Sequence, residues 1–527
     1  MAFTFQINDD VEFKHDQRLL EKAIRLTPPL QHQKVVPCQL VKLCNDPTKL
    51  DGVGVVKNGE LADLKERKFA RDDQVILDFG NHYVGQFKLK LTHVGSPQDA
   101  PLTLRIRFAE VPAELSYQAS DYQGWLSKSW IQEEIVHFDE LPATLKLPRR
   151  YAFRYVELTV IDTSPKWAVQ FKQPEVITES SADPTKLPSV KLADPELQRI
   201  YEVSVKTLQD CMQEVFEDGP KRDRRLWLGD LRLQALANYA TFDNRELVKR
   251  CLYLFAAMTA KDGRIVANVF TKPNYVPDDT FLFDYSLFFI STLADYYRHT
   301  KDQEALADLL PVATAQMEIA LTRVNDQGGY QEDEAYPVFI DWSNEFDKTT
   351  AGQGVLILAL RQLITLLQAA AQPTERYVAS LQQLVTYAQE QLFDAQQDLF
   401  VSGAKREINV ASQVWMVLAG VVTGDQVQVV MRTMIKQLFP IRGIATPYMY
   451  HHVVEALFMA GLNDEAVALL KHYWGKMLAL GADTYWEAFD PDQPDYSPYG
   501  SPIVSSYCHA WSCTPAYLIQ KYLTEEA

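Results

Sequence analysis

With 527 residues, 47% of them hydrophobic, the chain is long enough for two or three domains around large buried cores and is far from a disordered composition. A formal charge of -17 and a pI near 5.1 argue against nucleic acid and anionic membrane surfaces as partners, because both are recognised through basic patches that neutralise phosphate. The expected ligand is neutral or not strongly anionic.

The first ten residues show neither the basic nor the apolar region of a secretory leader. No apolar run is expected to approach the roughly 20 residues of a membrane helix, and even the stretch 281–290 is interrupted by Asp284. Six cysteines (Cys38, Cys44, Cys211, Cys251, Cys508, Cys513) form no pairing framework, so reduced thiols in a core are expected rather than disulfides or a zinc site. Together these features predict a cytoplasmic protein acting on imported small molecules.

Residues 1–185 carry strand signals. Alternation of apolar and polar side chains over 86–93, 102–108 and 151–161, divided by Gly, Pro and Asp turns, predicts an antiparallel β-sandwich. Residues 180–188 read as a linker. At Asp194-Pro195, an N-cap followed by proline at the first helical position, the period becomes helical and a second domain, 190–527, begins. Twelve helical segments start near residues 194, 230, 245, 280, 302, 351, 373, 406, 425, 446, 463 and 503. About 55 residues per pair suits six helical hairpins, hence an (α/α)6 barrel. An α-solenoid gives a similar count, but these segments share no repeated consensus. Their connections also concentrate acidic and aromatic residues, at 218–230, 276–280, 339–345 and 483–487. Loops at the ends of a rigid scaffold are where carbohydrate chemistry would sit.

Glycosidic bond cleavage commonly needs one carboxylic acid to protonate the leaving oxygen and one carboxylate to activate water or attack the sugar. In 218–230, Arg222, Arg224 and Arg225 are interleaved with Asp218, Asp223 and Asp230 beside Trp227, just ahead of a helix that Asp230 would otherwise merely cap. This segment, Asp-Gly-Pro-Lys-Arg-Asp-Arg-Arg-Leu-Trp-Leu-Gly-Asp, resembles the signature of glycoside hydrolase family 78, the α-L-rhamnosidases, commonly D-C-P-Q-R-D-E-R-L-G-W-T-G-D. The resemblance extends to Leu77-Asp-Phe-Gly80 with Phe108-Ala-Glu110, and to Ser506-Tyr-Cys-His-Ala-Trp511.

The resemblance implies inverting release of terminal α-L-rhamnose, with no cofactor and no catalytic metal. The segment is one residue shorter than the common form, and an ungapped reading from Asp218 puts Arg224 where the family has its catalytic glutamate. Counted back from the closing Gly-Asp, Asp223 takes the acid's place, with Asp218 the alternative. Neighbouring arginines would lower the acid's pKa, and Asp218 in the same pocket would raise it. The family pattern gives Asp218, Arg222 and Asp230 to sugar contacts. Thr484-Tyr-Trp-Glu-Ala488 resembles the family's T-x-W-E segment, which makes Glu487 the general base, with Trp486 beside it. Inversion would set the acid and base about 6.5–9.5 Å apart. His509 and Trp511 resemble a sugar-binding pair, and Asp341-Trp342 a pocket segment. Asp278, Asp279 and Tyr285 are expected at the barrel mouth. His451 and His452 project about 100° apart on a helix, which does not suit a metal pair.

Because the chain stops soon after His509 without accessory modules, small rhamnosides such as disaccharides or flavonoid glycosides are the expected substrates, and the sandwich face is available for a homodimer. Two other readings stand beside this one. One is a different (α/α)6 hydrolase acting on fucosides or unsaturated uronides; the other is a carbohydrate-binding homologue without catalysis, suggested by Arg224.

Overall fold

The computed structural model describes residues 6–524. Nine antiparallel strands build the first domain: β1 (Gln31–Val35), β2 (Gln39–Asn45), β3 (Val53–Gly59), β4 (Gln74–Gly95), β5 (Leu102–Ala109), β6 (Glu133–Phe138), β7 (Ala143–Lys146), β8 (Tyr151–Asp162) and β9 (Trp167–Ser180). The long strand β4 organises the rest. Its first half pairs with β2 and β8, its second with β7 and β9, and register shifts after Asp78 and Lys88 let it bend between the two groups. Gly85 sits where they meet, opposite both Tyr151 and Thr178. A Cβ there would lie 2.2 Å from the Ile177 carbonyl oxygen, so only glycine fits. Both halves of β4 feed one core, in which Phe79, Phe87, Phe108 and Phe153 meet mostly edge to face.

The described residues ahead of β1 do not join these sheets. Helix α1 (Gln17–Arg25) turns Leu19 and Ala23 into the core of the helical domain. Residues 6–26 thus lie against the helices, although the sequence pattern grouped them with the strands.

Twelve helices of eight residues or more follow within the described residues: α2 (Pro195–Cys211), α3 (Leu228–Ala240), α4 (Arg245–Ala257), α5 (Phe283–Thr300), α6 (Gln303–Leu321), α7 (Thr349–Ala369), α8 (Glu375–Tyr387), α9 (Val410–Leu418), α10 (Asp425–Leu438), α11 (Pro447–Met459), α12 (Asn463–Leu470) and α13 (Pro515–Leu523). Eleven begin within four residues of the positions read from sequence; the twelfth begins at 515 rather than 503. The intervening backbone turns twice in 3-10 geometry, at Pro502–Val504 and Ala510–Ser512. It is pinned there by hydrogen bonds from His509 N to Tyr485 O (2.9 Å) and from Ala510 N to Asp218 O (2.7 Å).

Helices α3, α5, α7, α9, α11 and α13 pack on one another in succession, and α13 packs back on α3. Their sequences explain the division of labour. All of α11 except its last residue is buried, whereas α8 buries only Tyr377 and Leu384. Against the expectation from sequence, helix α7, at 21 residues, is apolar and long enough to cross a bilayer; 78% of its apolar window is buried inside the protein. All six cysteines are free thiols, four of them buried.

Candidate active site

The loop ends gather around one cavity of about 450 Å³. Its centre is the turn between α2 and α3. Asp218 closes that turn by accepting from Arg225 N through Oδ1 (2.9 Å) while its own N–H donates to Arg225 O (3.0 Å). Gly219 is needed beside it, since a Cβ would come 2.8 Å from Ser506 Oγ. Two consecutive non-glycine residues, Asp223 (φ 59°) and Arg224 (φ 54°), then adopt the left-handed region, a strain proteins keep mainly at functional positions. The consequence is a sharp reversal that sends neighbouring side chains apart. Asp223 lines the cavity. Arg224 leaves it, donating to Arg150 O (2.8 Å) in the β domain and to Lys221 O (3.3 Å).

Arg222 is buried beneath this turn. Its Nε donates to Val504 O (2.9 Å), its Nη1 to Asp223 Oδ2 (3.2 Å) and its Nη2 to Glu487 Oε2, and the guanidinium lies 4.0 Å from the Tyr499 ring centre. One guanidinium thus spans the two carboxylates. Tyr499 Oη donates to Glu487 Oε1, and Trp511 Nε1 to the Glu487 carbonyl (2.8 Å). Asp230 sits in the first turn of α3, not at its cap, which is Trp227. Its Oδ1 and His509 Nδ1 face each other at 3.5 Å, are buried, and have no hydrogen-bond partner. His509 Nε2 is 3.9 Å from Glu487 Oε1.

Four carboxylates now share few cations, and their titration follows. Burial pushes Asp218 well above the usual carboxylate range, reinforced by the charges of Asp223 and Asp230. Burial does the same to Asp230, with help from Glu487 and Asp223. Burial also raises Glu487, while Arg222 and the Tyr499 hydroxyl pull it back part of the way. His509 is driven well below its ordinary value by burial and by Arg222, so its ring is neutral. Replacing Tyr499 by phenylalanine removes one stabiliser of the Glu487 anion. If Glu487 works as a base, activity is lost as pH falls through its pKa, so the acidic limb of the kcat/KM profile of Tyr499→Phe should move to higher pH.

Aromatic walls complete the cavity. Tyr285 meets Trp227 edge-on at 6.3 Å and Phe339 at 5.5 Å, and Gly229 makes room for it, since a Cβ there would be 2.3 Å from the Tyr285 ring. Trp342 and Trp511 flank Phe339 at 5.7 and 5.8 Å. Asp278 and Asp279 line the rim, already engaged with Asn268 Nδ2 (2.7 Å) and Asn8 N (2.6 Å).

Of the residues singled out in the sequence, Asp218, Asp223, Trp227, Asp230, Asp278, Asp279, Tyr285, Trp342, Glu487, His509 and Trp511 line this cavity. Three do not. Arg222 lies behind the carboxylates and grips them instead of reaching the lumen. Asp341 is wholly buried, accepting from Ser343 N (2.8 Å), Ala445 N (3.0 Å) and Thr446 N (3.1 Å), and holds two loops together. Trp486 packs inward on Phe489 and Tyr507, each at 5.4 Å, so its side chain is core. Arg225, noted in the 218–230 run without a role in the site, also lines the cavity, whereas Tyr499 was missed, as were Trp125, Leu126, Ser127 and Trp130 of the β domain and Ile7 of the N-terminal segment. No spacing rule marks these missed residues, because they come from connections distant in sequence.

The β domain reaches the same turn from below. Lys221, fully buried, is paired with Glu114 and donates to Ile503 O (3.2 Å) and Ser505 O (2.7 Å). Replacing Lys221 by methionine would leave Glu114 buried without its partner, at a cost of about 3–5 kcal/mol, seen as a lower midpoint in urea denaturation. Among the described residues, His82, Asp210 and Cys508 stand at metal-ligand spacing. However, His82 already contacts Asp210 (2.6 Å) through Nδ1 and Glu110 (3.0 Å) through Nε2. Burial opposes its charge, but Cys508 and the two carboxylates outweigh that and raise it to about 10, so the group is satisfied as an ion-pair network. His451 and His452 are buried in α11, His451 3.5 Å from Glu455.

Comparison with known proteins bears on this arrangement. Residues 37–178 match the model of the glycosyl hydrolase family 78 alpha-rhamnosidase N-terminal domain, and residues 186–523 that of the bacterial alpha-L-rhamnosidase 6 hairpin glycosidase domain. Among solved structures, a rhamnosidase from Klebsiella oxytoca with rhamnose bound is similar at 46% identity and a TM-score of 0.93, over 97% of this chain and 100% of that one. A family 78 rhamnosidase of Bacillus sp. GL1 (22% identity, TM-score 0.71) matches over 85% of this chain and 46% of its own. An α-L-rhamnosidase from Streptomyces avermitilis complexed with L-rhamnose (17%, TM-score 0.67) matches over 94% and 44%. These last two share the fold and are more than twice as long as the part matched. No curated protein sequence matches the chain.

Proposed function

Since the chain belongs to glycoside hydrolase family 78, we propose that it is an α-L-rhamnosidase that releases terminal α-L-rhamnose from small rhamnosides with inversion, Asp223 serving as general acid and Glu487 as general base. The observation that carries the assignment is the Arg222 guanidinium, which holds Asp223 on one nitrogen and Glu487 on the other beside a single cavity. Inversion is what the family resemblance implies, with the acid on one face of the sugar and a base activating water on the other, and both carboxylates line the one cavity. The rhamnose in the similar Klebsiella structure supports the choice of sugar. The closed succession of α3, α5, α7, α9, α11 and α13 supports an (α/α)6 barrel, and the bent β4 a β-sandwich.

In this reading Asp223 protonates the glycosidic oxygen as the bond to C1 breaks. Glu487 removes a proton from the water that attacks C1 from the opposite face. Arg222 and Tyr499 keep it ionised against burial. Asp230 Oδ1 and neutral His509, left without partners, take the sugar hydroxyls. Trp227, Tyr285, Trp342 and Trp511 supply the apolar walls suited to C–H faces and to the methyl group of a 6-deoxy sugar. Arg222 is thereby reassigned from sugar contact to holding both reacting carboxylates.

Turnover of p-nitrophenyl α-L-rhamnopyranoside, followed by proton NMR, tests the proposal. The β anomer of rhamnose should appear first and then mutarotate. Initial release of the α anomer would rule out inversion, and no turnover would rule out the activity.

A further inference from the structure

The triplet Phe108-Ala-Glu110, part of the family resemblance, ends on a buried carboxylate that does not line the catalytic cavity. We propose that Glu110, directly after β5, is a positioning residue for the base: it grips the peptide group from which the backbone of Glu487 hangs. The inference rests on the rhamnosidase reading, in which Glu487 activates water. Glu110 Oε2 accepts from Tyr507 N (2.7 Å). The same peptide unit presents the Ser506 carbonyl, which accepts from Glu487 N (3.0 Å). A planar trans peptide points its N–H and C=O in opposite directions, so one rigid group stands between the Glu110 carboxylate and the backbone of the base. Two further bonds join the same segments. Thr484 Oγ1 donates to Tyr507 O (2.8 Å), and His509 N to Tyr485 O (2.9 Å). Residues 484–487 and 506–509 are thus tied into one unit, and Glu110 anchors it to the β domain.

Glu110 can serve as an anchor because it is itself fixed from both domains. Its Oε1 meets Nε2 of His82 in β4 (3.0 Å), and His82 Nδ1 meets Asp210 of α2 (2.6 Å), which also accepts from Lys206 (2.6 and 2.8 Å). Lys221 Nζ stands 3.9 Å from Glu110 Oε2 and is paired with Glu114. Glu114 Oε2 in turn accepts from Glu110 N (2.6 Å). Charge alternates along the string Lys206, Asp210, His82, Glu110, Lys221, Glu114, and all but Lys206 are buried. Buried ion pairs seldom stabilise a fold more than apolar packing of the same volume, so stability alone does not account for six of them. What they supply is direction. Lys221 immediately precedes Arg222 and Asp223 on the turn of the acid and donates to Ser505 O (2.7 Å), while Glu110 holds the segment of the base. Acid and base therefore rest on one support, residues 110–114 of the β domain.

The test measures kcat and KM for p-nitrophenyl α-L-rhamnopyranoside, inhibition by free L-rhamnose and the urea midpoint in wild type, Glu110→Gln, Glu110→Asp and the double variant His82→Leu/Glu110→Met. The double variant removes one cation and one anion together and leaves Asp210 with Lys206 and Lys221 with Glu114, so no buried ion loses its last partner. It does leave Tyr507 N without its acceptor. Its kcat should fall about 10- to 100-fold, the cost of a reacting group displaced by about 1 Å. KM and rhamnose inhibition should change little, because Trp227, Asp230 and Tyr285 come from other loops. The acidic limb of kcat/KM should move to higher pH as Glu487 slips from Arg222 and Tyr499. Glu110→Gln keeps the length and an acceptor for Tyr507 N and should retain most of kcat. Glu110→Asp keeps the charge but draws the acceptor back by one methylene, and should be slower than Glu110→Gln. The reverse order of these two, or a folded double variant as fast as wild type, would overturn the positioning role while leaving the rhamnosidase reading intact. A wild type without turnover would sink that reading and this inference with it.

Discussion

Glu487→Gln should lower kcat on p-nitrophenyl α-L-rhamnopyranoside by about 10²–10⁴-fold, the range of a lost general base, while rhamnose binding measured by calorimetry stays close to wild type. Glutamine fills the same volume, keeps one acceptor oxygen for Arg222 while its NH2 donates to the Tyr499 hydroxyl in place of the lost oxygen, and leaves Asp223 to balance the guanidinium. What it cannot do is take a proton from water. With Glu487 as the proposed base, its loss should remove the acidic limb of the pH profile along with the rate. A variant within tenfold of wild type would show that the base lies elsewhere, and Asp230, buried with an unpartnered oxygen, would be the next residue to replace.

Asp223→Asn should separate substrates by their leaving groups. Nitrophenolate departs with little help, so the loss on the aryl substrate should be modest. On a rhamnosyl disaccharide, whose alkoxide must be protonated as it leaves, kcat should fall by about 10²–10⁴-fold. Asp218→Asn is the necessary companion. Its carboxyl is pushed toward the neutral form by burial and by two neighbouring aspartates, and so has the electrostatics of an acid, but one oxygen is committed to Arg225 N at 2.9 Å, closing the turn. It should therefore lose activity on both substrates alike. If instead Asp218→Asn gives the leaving-group pattern and Asp223→Asn does not, the acid is Asp218.

The two variants address a question that the sequence posed and could not answer. The shortened segment left Arg224 in line with the family's glutamate, and only counting back from Gly229-Asp230 favoured Asp223. In the folded chain the left-handed backbone at 223 and 224 sends Asp223 into the cavity and Arg224 to the Arg150 carbonyl. Backbone handedness at two residues decides which side chain meets the substrate. The same limit explains Trp486 and Asp341. Each stands beside a true lining residue in sequence, Glu487 and Trp342, but successive residues in an extended loop point to opposite sides, so one faces the lumen and the other the core.

What the sequence determined by itself was local and periodic. The change from alternation to helical spacing after residue 190 located the helices, and all but the last began close to where the pattern placed them. The run 218–230 with Glu487 and His509 marked the family, since motifs preserve spacing along the chain. Tertiary structure alone decided what depends on segments far apart. Tyr499 reaches Glu487 across 12 residues and Lys221 meets Glu114 across 107, while Trp125 enters the cavity from a different domain. It also placed the Arg222 guanidinium, buried under the turn, on both Asp223 and Glu487, a pairing that spacing along the chain does not show. Spacing fixes which residues are present on a loop; the close packing of loops from different helices fixes which of them share a cavity, and with it their charge.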